Sequence, residues 1–448
     1  MSYKLINYCE IDKFASKSYS RIHSIDENLN IGDITKVDIS KLKDFDLLVG
    51  GSPCQDFSCS GKRNGSLWNC SECNHSYNPL TVHFLNRDKC PNCNSSNLKK
   101  TRSSLIIEYL KFMYVKKPKF AIYENVKNLV SKEFKDTFNL FIKELDEYGY
   151  NVYYKVLNSK FYDIPQNRER IILVAIRKDV DNGKFKFPDS SNVSKTLKDI
   201  LDEKVDEYYY LDKNKTNNYL KELPETTKDK LLNIYIDWLK YTNTTSTFPL
   251  CCASRGRNID NPSSRVAGLP TKQRLEINYN NTTNTLTSVL KDNYIIEPLS
   301  LSDDEKNKRI EQLNHEKKFN EEWFRVRKLT TKEYMRLMGF TDDDYDKIRY
   351  CTKEEELYIK NSNIRYKTEL DENKTERVIY LASEKIYKQA GNSIVCNVLF
   401  AVYKELFIVM PYLFDDLRLM SLFSGIGAFE RGLDMLFSWI ESDLQNKI

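Results

Sequence analysis

The sequence predicts an α/β fold built on a mostly parallel sheet, and three observations carry that reading. Short apolar runs recur, each closed by turn or polar residues: Phe45-Asp-Leu-Leu-Val49, Lys119-Phe-Ala-Ile-Tyr123 and Arg170-Ile-Ile-Leu-Val-Ala-Ile176. Helical spacing of apolar residues fills the intervals, over 104–114 and 134–148. Strands that alternate with helices build a parallel sheet flanked by helices. The chain has 448 residues, enough for two domains or one large one with insertions.

Each run can be placed in turn. The first breaks at Gly50-Gly-Ser-Pro53 and leads into Cys54. The second ends at Glu124-Asn125. Ligands of open α/β sheets sit outside the carboxyl ends of the strands, so Cys54 and Glu124 are expected at one crevice. The third run follows Gln166-Asn-Arg-Glu-Arg170. Near the end of the chain, Arg418-Leu-Met-Ser-Leu-Phe423 reads as a strand, Ser424-Gly-Ile-Gly427 as a tight turn, and 428–437 as a helix.

The domain organisation follows from composition. Residues 1–180 form the first part of the main domain, interrupted by an insertion at 66–100 that carries its own cysteine pairs. Residues 181–325 are polar, irregular and rich in Asn, Thr, Lys and Pro, and read as a second, smaller domain. Residues 326–410 return to the main domain, and 411–448 hold the strand, turn and helix. There is no internal repeat.

Bulk properties narrow the class. Hydrophobic residues make up 40% and charged residues 30%, which suits a folded, soluble chain rather than a disordered one. The longest candidate for a membrane span, at 406–414, is short, contains a proline and stays well below about 18 residues. The start lacks the apolar stretch of a signal peptide, so no membrane association and a cytoplasmic location are expected. The net charge of +5 decides nothing about nucleic acid by itself. Eleven cysteines in a reducing compartment are metal ligands, nucleophiles or small core residues more often than disulfides.

Each motif has a functional and a bland reading. Cys54, in Gly50-Gly-Ser-Pro-Cys-Gln-Asp-Phe-Ser58, could be a thiolate nucleophile on an exposed loop, or equally a small buried cysteine. Glu124 could move a proton if burial raises its pKa, or could be a capping carboxylate. Arg168 and Arg170, two apart, share a face if extended and could grip a base oxygen or a phosphate, or could be a solvated strand entry. The glycine turn could hold a nucleotide-type ligand, although a lone G-x-G is weak evidence. Cys70-x-x-Cys73 and Cys90-x-x-Cys93 stand apart, because paired knuckles at this spacing are a strong zinc signature. Four thiolates leave no open position for water, so a structural site is expected there.

Taken in order, these pieces resemble the DNA cytosine-5 methyltransferase family: Pro53-Cys54-Gln55, Arg102-Ser-Ser-Leu, Glu124-Asn125-Val126, Gln166-x-Arg168-x-Arg170, Arg327-Lys-Leu-Thr-Thr-Lys-Glu-Tyr-Met-Arg-Leu-Met-Gly-Phe340, Gln389-Ala-Gly-Asn-Ser393 and the glycine-turn strand. The resemblance implies a Rossmann-like sheet that binds S-adenosylmethionine, with a target-recognition domain at 181–325. It implies Cys54 as nucleophile, Glu124 at the base ring nitrogen, Arg170 with Arg168 at the exocyclic oxygen, Gln166 beside them, and Asn125 bracing the Pro53-Cys54 loop.

For the cofactor the resemblance implies Phe423, Ser424, Gly425, Gly427, Glu10, Ile11, Asp33, Ile34, Pro53, Asn392 and Ser393. For DNA it implies Gln55, Ser58, Ser60, Arg255, Arg257 and Arg265. The zinc-binding insertion is an addition to the family core. The order is also unusual: the glycine-turn strand normally opens the chain and here closes it, so the sheet is expected to be circularly permuted. Duplex DNA is the expected partner, a cognate restriction endonuclease a further one, and a monomer the expected state. A tRNA cytosine methyltransferase would share the chemistry but normally lacks so large a recognition domain. A catalytically silent zinc-containing DNA-binding partner would not need Cys54, Glu124, Arg168 and Arg170 together.

Overall fold

The structure is a computed structural model that describes residues 2–53, 67–190, 195–240, 248–261, 263–264, 268–362, 365–371 and 373–445. Cys54, Gln55, Ser58, Ser60 and Arg265 lie outside the described residues.

The main sheet contains β1 (Lys4–Cys9), β2 (Leu47–Gly50), β3 (Phe120–Val126), β4 (Tyr150–Asn158), β5 (Glu169–Arg177) and β6 (Arg418–Leu422), in the order β1-β6-β2-β3-β5-β4. The first four in that order run parallel, and β5 is antiparallel to both its neighbours. The sheet is therefore mixed. Residues 159–168, which join β4 to β5, are too few for a helical crossover, so the chain turns back on itself.

Continuous apolar runs make the inner strands because both faces of the sheet are covered. Leu47, Val49, Ile122 and Val174 face one core, which also takes in the helices Cys396–Val409 and Ala428–Gln445. Leu48, Ala121, Tyr123 and Leu173 face the other, with the helices Ile106–Lys116 and Lys135–Glu147. Alternate residues thus serve alternate faces, as the period of two requires. The final helix runs well beyond the expected 428–437.

Between residues 383 and 409 the helices Ser383–Asn392 and Cys396–Val409 together have the length and composition of a membrane span, a feature the apolar-run count passed over. Ile386, Ala390, Leu399, Val402 and Leu406 are buried in the main core, which accounts for that apolar composition.

The middle domain is more regular than its composition suggested. Its antiparallel sheet has the order Thr271–Asn278, Leu250–Asn258, Tyr294–Pro298, Phe324–Lys328, so its last strand reaches three residues past the expected boundary. Helices Lys213–Lys221, Glu225–Lys240 and Asp303–His315 accompany it. Leu231, Tyr235, Leu250, Ile296 and Val326 form its separate core. At its junction with the main domain, buried Arg327 donates from both terminal nitrogens to the Glu333 carboxylate at 2.9 Å. The insertion is a small sheet, with Trp68–Cys70 between Ser76–Tyr77 and Leu98–Lys99.

Candidate active site

The carboxyl ends of β2 and β3 are tied together before Cys54 is reached. The Asn125 side-chain amide donates to the Ser52 carbonyl at 3.1 Å and to the Tyr123 hydroxyl at 2.9 Å. That hydroxyl lies 2.6 Å from Ser52 Oγ. The chain entering Pro53 is thereby pinned. Gly51 passes so close to Glu124 that a Cβ there would sit 2.9 Å from the Glu124 carbonyl oxygen and 3.0 Å from Oε2, so a side chain is excluded.

Glu124 itself is buried at 8% exposure, and Arg170 Nε lies 3.1 Å from its Oε1. Burial pushes its carboxyl pKa up, with the Arg170 and Arg168 charges opposing. The balance favours the protonated acid more than at the protein surface, which suits proton donation to a ring nitrogen. If Glu124 is the general acid that the resemblance implies, replacing it with Gln is expected to slow the reaction about 10²–10⁴-fold. In the parent chain the rate should fall as pH rises past the raised Glu124 pKa, because only the protonated form donates. Rate–pH profiles of both chains check this: the falling limb should disappear in Glu124→Gln, and its persistence there would assign it to another group.

The other two residues of the Gln166-x-Arg168-x-Arg170 motif point elsewhere. Fully buried Gln166 donates to the Leu337 carbonyl at 2.8 Å and accepts from the Leu286 N–H at 2.9 Å. Arg168 donates to the Leu286 carbonyl at 2.8 Å and to the Ser393 carbonyl at 2.7 Å. Both were expected among the catalytic groups. Here they hold the backbone around 286, 337 and 393, and Arg170 is the member that reaches Glu124.

A second cluster joins the two ends of the chain. β6 lies between β1 and β2, and the turn after it faces the end of β1. The Gly425 N–H donates to Glu10 Oε2 at 2.9 Å, while Glu10 Oε1 accepts from the Asp12 N–H at 2.8 Å. Ser424 N–H donates to the Cys9 carbonyl at 3.1 Å. Phe423 and Gly425 both adopt positive φ, +54° and +55°. A Cβ on Gly425 would meet nothing within 4 Å, so the space beside this turn is open. Ile11, next to Glu10, is 73% exposed.

Asp33 uses its carboxylate locally, accepting from Thr35 N–H and Oγ1, and Ile34 is buried. The helix that ends at Asn392 docks alongside, with Lys388 Nζ 2.9 Å from Asp12. Ser393 follows it, buried, its carbonyl held by Arg168.

Sequence reasoning missed Asn30. Its side chain accepts from the Glu10 N–H at 3.0 Å and the Gly32 N–H at 2.9 Å, and donates to the Glu10 carbonyl at 2.9 Å. No local pattern announces a partner twenty residues away. It also missed Ser52 and Tyr123, whose hydroxyls complete the Asn125 network.

A strand-end acid paired to an arginine thus lies beside a pinned proline turn, and a glycine turn faces an acidic strand end. The family model for C-5 cytosine-specific DNA methylase matches residues 1–70 and 93–361. The chain belongs to this family. It is a DNA methyltransferase acting at carbon 5 of cytosine. The methylase is 28% identical over 474 residues to the orphan methyltransferase M.SPRI of Bacillus phage SPR, covering 91% of this chain and 92% of that one. It is 29% identical over 380 residues to the type II methyltransferase M2.ScrFI of Lactococcus lactis subsp. cremoris, covering 85% and 71%. Among solved structures, an Entamoeba histolytica methyltransferase aligns with TM-score 0.45 at 14% identity, over 90% of this chain and 89% of that one.

The methylase's four insertion cysteines converge. Cys70, Cys73, Cys90 and Cys93 have their sulfurs within 4.8 Å of one another, with Cys70 and Cys93 3.5 Å apart and Cys73 and Cys90 3.7 Å apart. A tetrahedron with Zn–S bonds of about 2.3 Å has edges of about 3.8 Å, so the sulfurs fit such an ion. The two knuckles repeat one geometry. Asn74 and Asn94 take positive φ and donate to the carbonyls of Cys70 and Cys90. The N–H groups of Cys70 and Cys90 donate to the carbonyls of His75 and Ser95. In the middle domain, Arg257 is ion-paired to Glu276, and Arg255 lies 3.6 Å from the same carboxylate.

Proposed function

We propose that Cys54 is the nucleophile of this methylase and that its substrate is a cytosine flipped out of a specific duplex DNA sequence. The observation that carries the reading is Glu124, buried, raised in pKa and paired with Arg170, beside the pinned Ser52-Pro53 turn that delivers Cys54. The Cys54 thiolate adds to ring carbon 6, forming a C–S bond and leaving carbon 5 enamine-like. Glu124 donates at ring nitrogen 3 and so offsets the charge that develops. Arg170 binds the exocyclic oxygen and orients Glu124. S-adenosylmethionine, when bound, supplies an electrophilic methyl group on a sulfonium. Carbon 5 takes that methyl and a neutral thioether is left behind. Solvent takes the carbon-5 proton as the C–S bond breaks, Cys54 leaves as the thiolate, and nitrogen 3 returns its proton to Glu124. The aromatic ring and the free enzyme are thereby restored. None of these contacts is possible inside a stacked duplex, so the base must leave it.

In this reading Phe423, Ser424, Gly425 and Gly427 form one wall of the cofactor pocket, and Glu10, Ile11, Asp33, Ile34, Pro53, Asn392 and Ser393 the rest. The open space at Gly425 and the Glu10 carboxylate that faces it support this. Gln166 and Arg168 act as positioning residues. The sheet is a circular permutation of the family order. Its support is that β6, from one end of the chain, lies beside β1, from the other, while the family match stops at residue 361. The insertion holds one structural zinc ion through its four cysteines. The middle domain reads DNA, with Arg255, Arg257 and Arg265 as contacts and Gln55, Ser58 and Ser60 near the flipped base.

The test is methyl transfer from labelled S-adenosylmethionine to duplex DNA and to tRNA side by side, with bisulfite sequencing of the DNA. Transfer to duplex DNA at one sequence is expected, weakening steeply with salt as phosphate contacts are screened. Transfer to tRNA alone would overturn the duplex reading.

A further inference from the structure

Beneath the glycine turn lies a buried group that the proposed chemistry does not use. The helix Lys13–His23 follows Glu10 and ends with His23 directly under the turn. Its side chain is 3% exposed. One ring nitrogen, Nε2, lies 3.2 Å from the Ile426 carbonyl, inside the turn. The other, Nδ1, lies 3.7 Å from Asp434 Oδ2, on the helix Ala428–Gln445 that the turn opens. Gly427 has φ +83°, and a Cβ there would sit 2.1 Å from His23 Nε2 and 3.0 Å from Tyr19 Cε2. The imidazole thus fills the space that the missing side chain leaves.

The surroundings extend this contact in both directions. The Tyr19 and His23 rings lie 5.0 Å apart, and Tyr8, on β1, stacks on Tyr19 at 4.1 Å. The Tyr19 hydroxyl donates to Glu430 Oε1 at 2.8 Å. Glu430 is fully buried, which raises its carboxyl pKa, while the charge of His23 acts the other way. Burial raises the pKa of Tyr3, just before β1, and the charge of Asp434 and a side-chain hydrogen bond to it raise it further. Residues 3–23 and 423–434 are separated by almost the whole chain, and His23 sits where they meet.

We propose that His23 is a positioning residue for the cofactor-binding turn. Donating from Nε2 to the Ile426 carbonyl and packed beside Asp434, it fixes the turn so that the Gly425 N–H meets Glu10 and the S-adenosylmethionine pocket is held ready. This rests on the reading of 423–427 as the cofactor wall. A buried ring on one helix that donates to a turn carbonyl and fills the space beside Gly427 holds two separate elements in one geometry. A pocket fixed in advance binds more tightly because less ordering remains to be done on binding.

The test is S-adenosylmethionine affinity by titration calorimetry on the full chain, with thermal unfolding recorded for each variant. His23→Ala is expected to weaken affinity about tenfold, the scale of a lost buried hydrogen bond and its packing. Its kcat at saturating cofactor should stay within about twofold of the parent, since a preorganised pocket affects binding first. His23→Gln, which retains an N–H donor for the Ile426 carbonyl, should keep most of the affinity. Gly427→Ala should weaken binding more than His23→Ala does, because the new methyl strikes the imidazole. Combining the two should recover part of that loss, a non-additivity that contacting residues show and independent ones do not. Unchanged affinity in His23→Ala, or simple addition of the two losses, would overturn the assignment. Failure of the parent chain to bind S-adenosylmethionine at all would instead remove the cofactor reading on which it rests.

Discussion

Replacing Cys54 with Ser is expected to abolish methyl transfer while leaving S-adenosylmethionine affinity unchanged. A serine hydroxyl stays protonated near neutral pH and is a far weaker nucleophile than a thiolate toward ring carbon 6. The substitution should not disturb what surrounds it. The turn entering Pro53 is held by the Ser52 backbone and hydroxyl, Tyr123 and Asn125, through contacts that do not involve the sulfur. The cofactor turn is built on β6 and β1, the other side of β2. A single-turnover assay with duplex DNA measures the first effect and cofactor titration the second. The parent chain, but not Cys54→Ser, should be trapped covalently by duplex DNA carrying 5-fluorocytosine, since fluorine cannot leave as a proton. Appreciable turnover by Cys54→Ser would end the covalent mechanism.

How far the sequence revealed this architecture depends on where each contact comes from. β2, β3 and β5 were legible because strands covered on both faces are continuous apolar runs bounded by turns. β4, at the edge of the sheet, was not, because its residues mix exposed and half-buried positions and give no clean period. The direction of β5 depends on the length of the connection before it, and the unrecognised β4 hid that length.

Glu124 and Asn125 could be found because they follow a strand directly. The partners of Gln166 and Arg168 could not, since those side chains reach backbone groups more than a hundred residues away. The meeting of the two chain ends was legible only through the order of the motifs. Deleting everything from Arg418 onward would remove more than the glycine turn. β6 is an interior strand with Leu419, Met420 and Leu422 fully buried, so its removal should cost the sheet as well as cofactor binding. Point substitutions at Glu10 or His23 are therefore the cleaner probes.

Stripping the insertion of zinc is expected to lower the stability of the whole catalytic domain, not only to loosen residues 66–100. The packing of the insertion argues for this wider effect. Trp68, Cys70, Tyr77, Leu80 and Cys90 belong to the same core as Ile107, Tyr109 and Phe141 of the catalytic helices. Arg87 of the insertion donates to Glu144 Oε1 at 2.7 Å, with both side chains buried, on the helix Lys135–Glu147. Asn78 adds a hydrogen bond to Thr137 Oγ1 at 2.9 Å. If the knuckles open, the buried pair of Arg87 with Glu144 is broken and apolar surface on two helices meets water. Breaking a buried pair of this kind costs about 3–5 kcal/mol. At about 2 °C per kcal/mol, the low end of the usual range because the domain is large, Tm should fall by roughly 6–10 °C. Metal analysis should find one zinc per chain in protein purified without chelator. Cys73→Ser and Cys90→Ser should each lose the metal and show the lowered Tm, since binding energy in such knuckles is folding energy. A zinc-free protein with the Tm of the parent chain would show that the four thiols hold no structural ion.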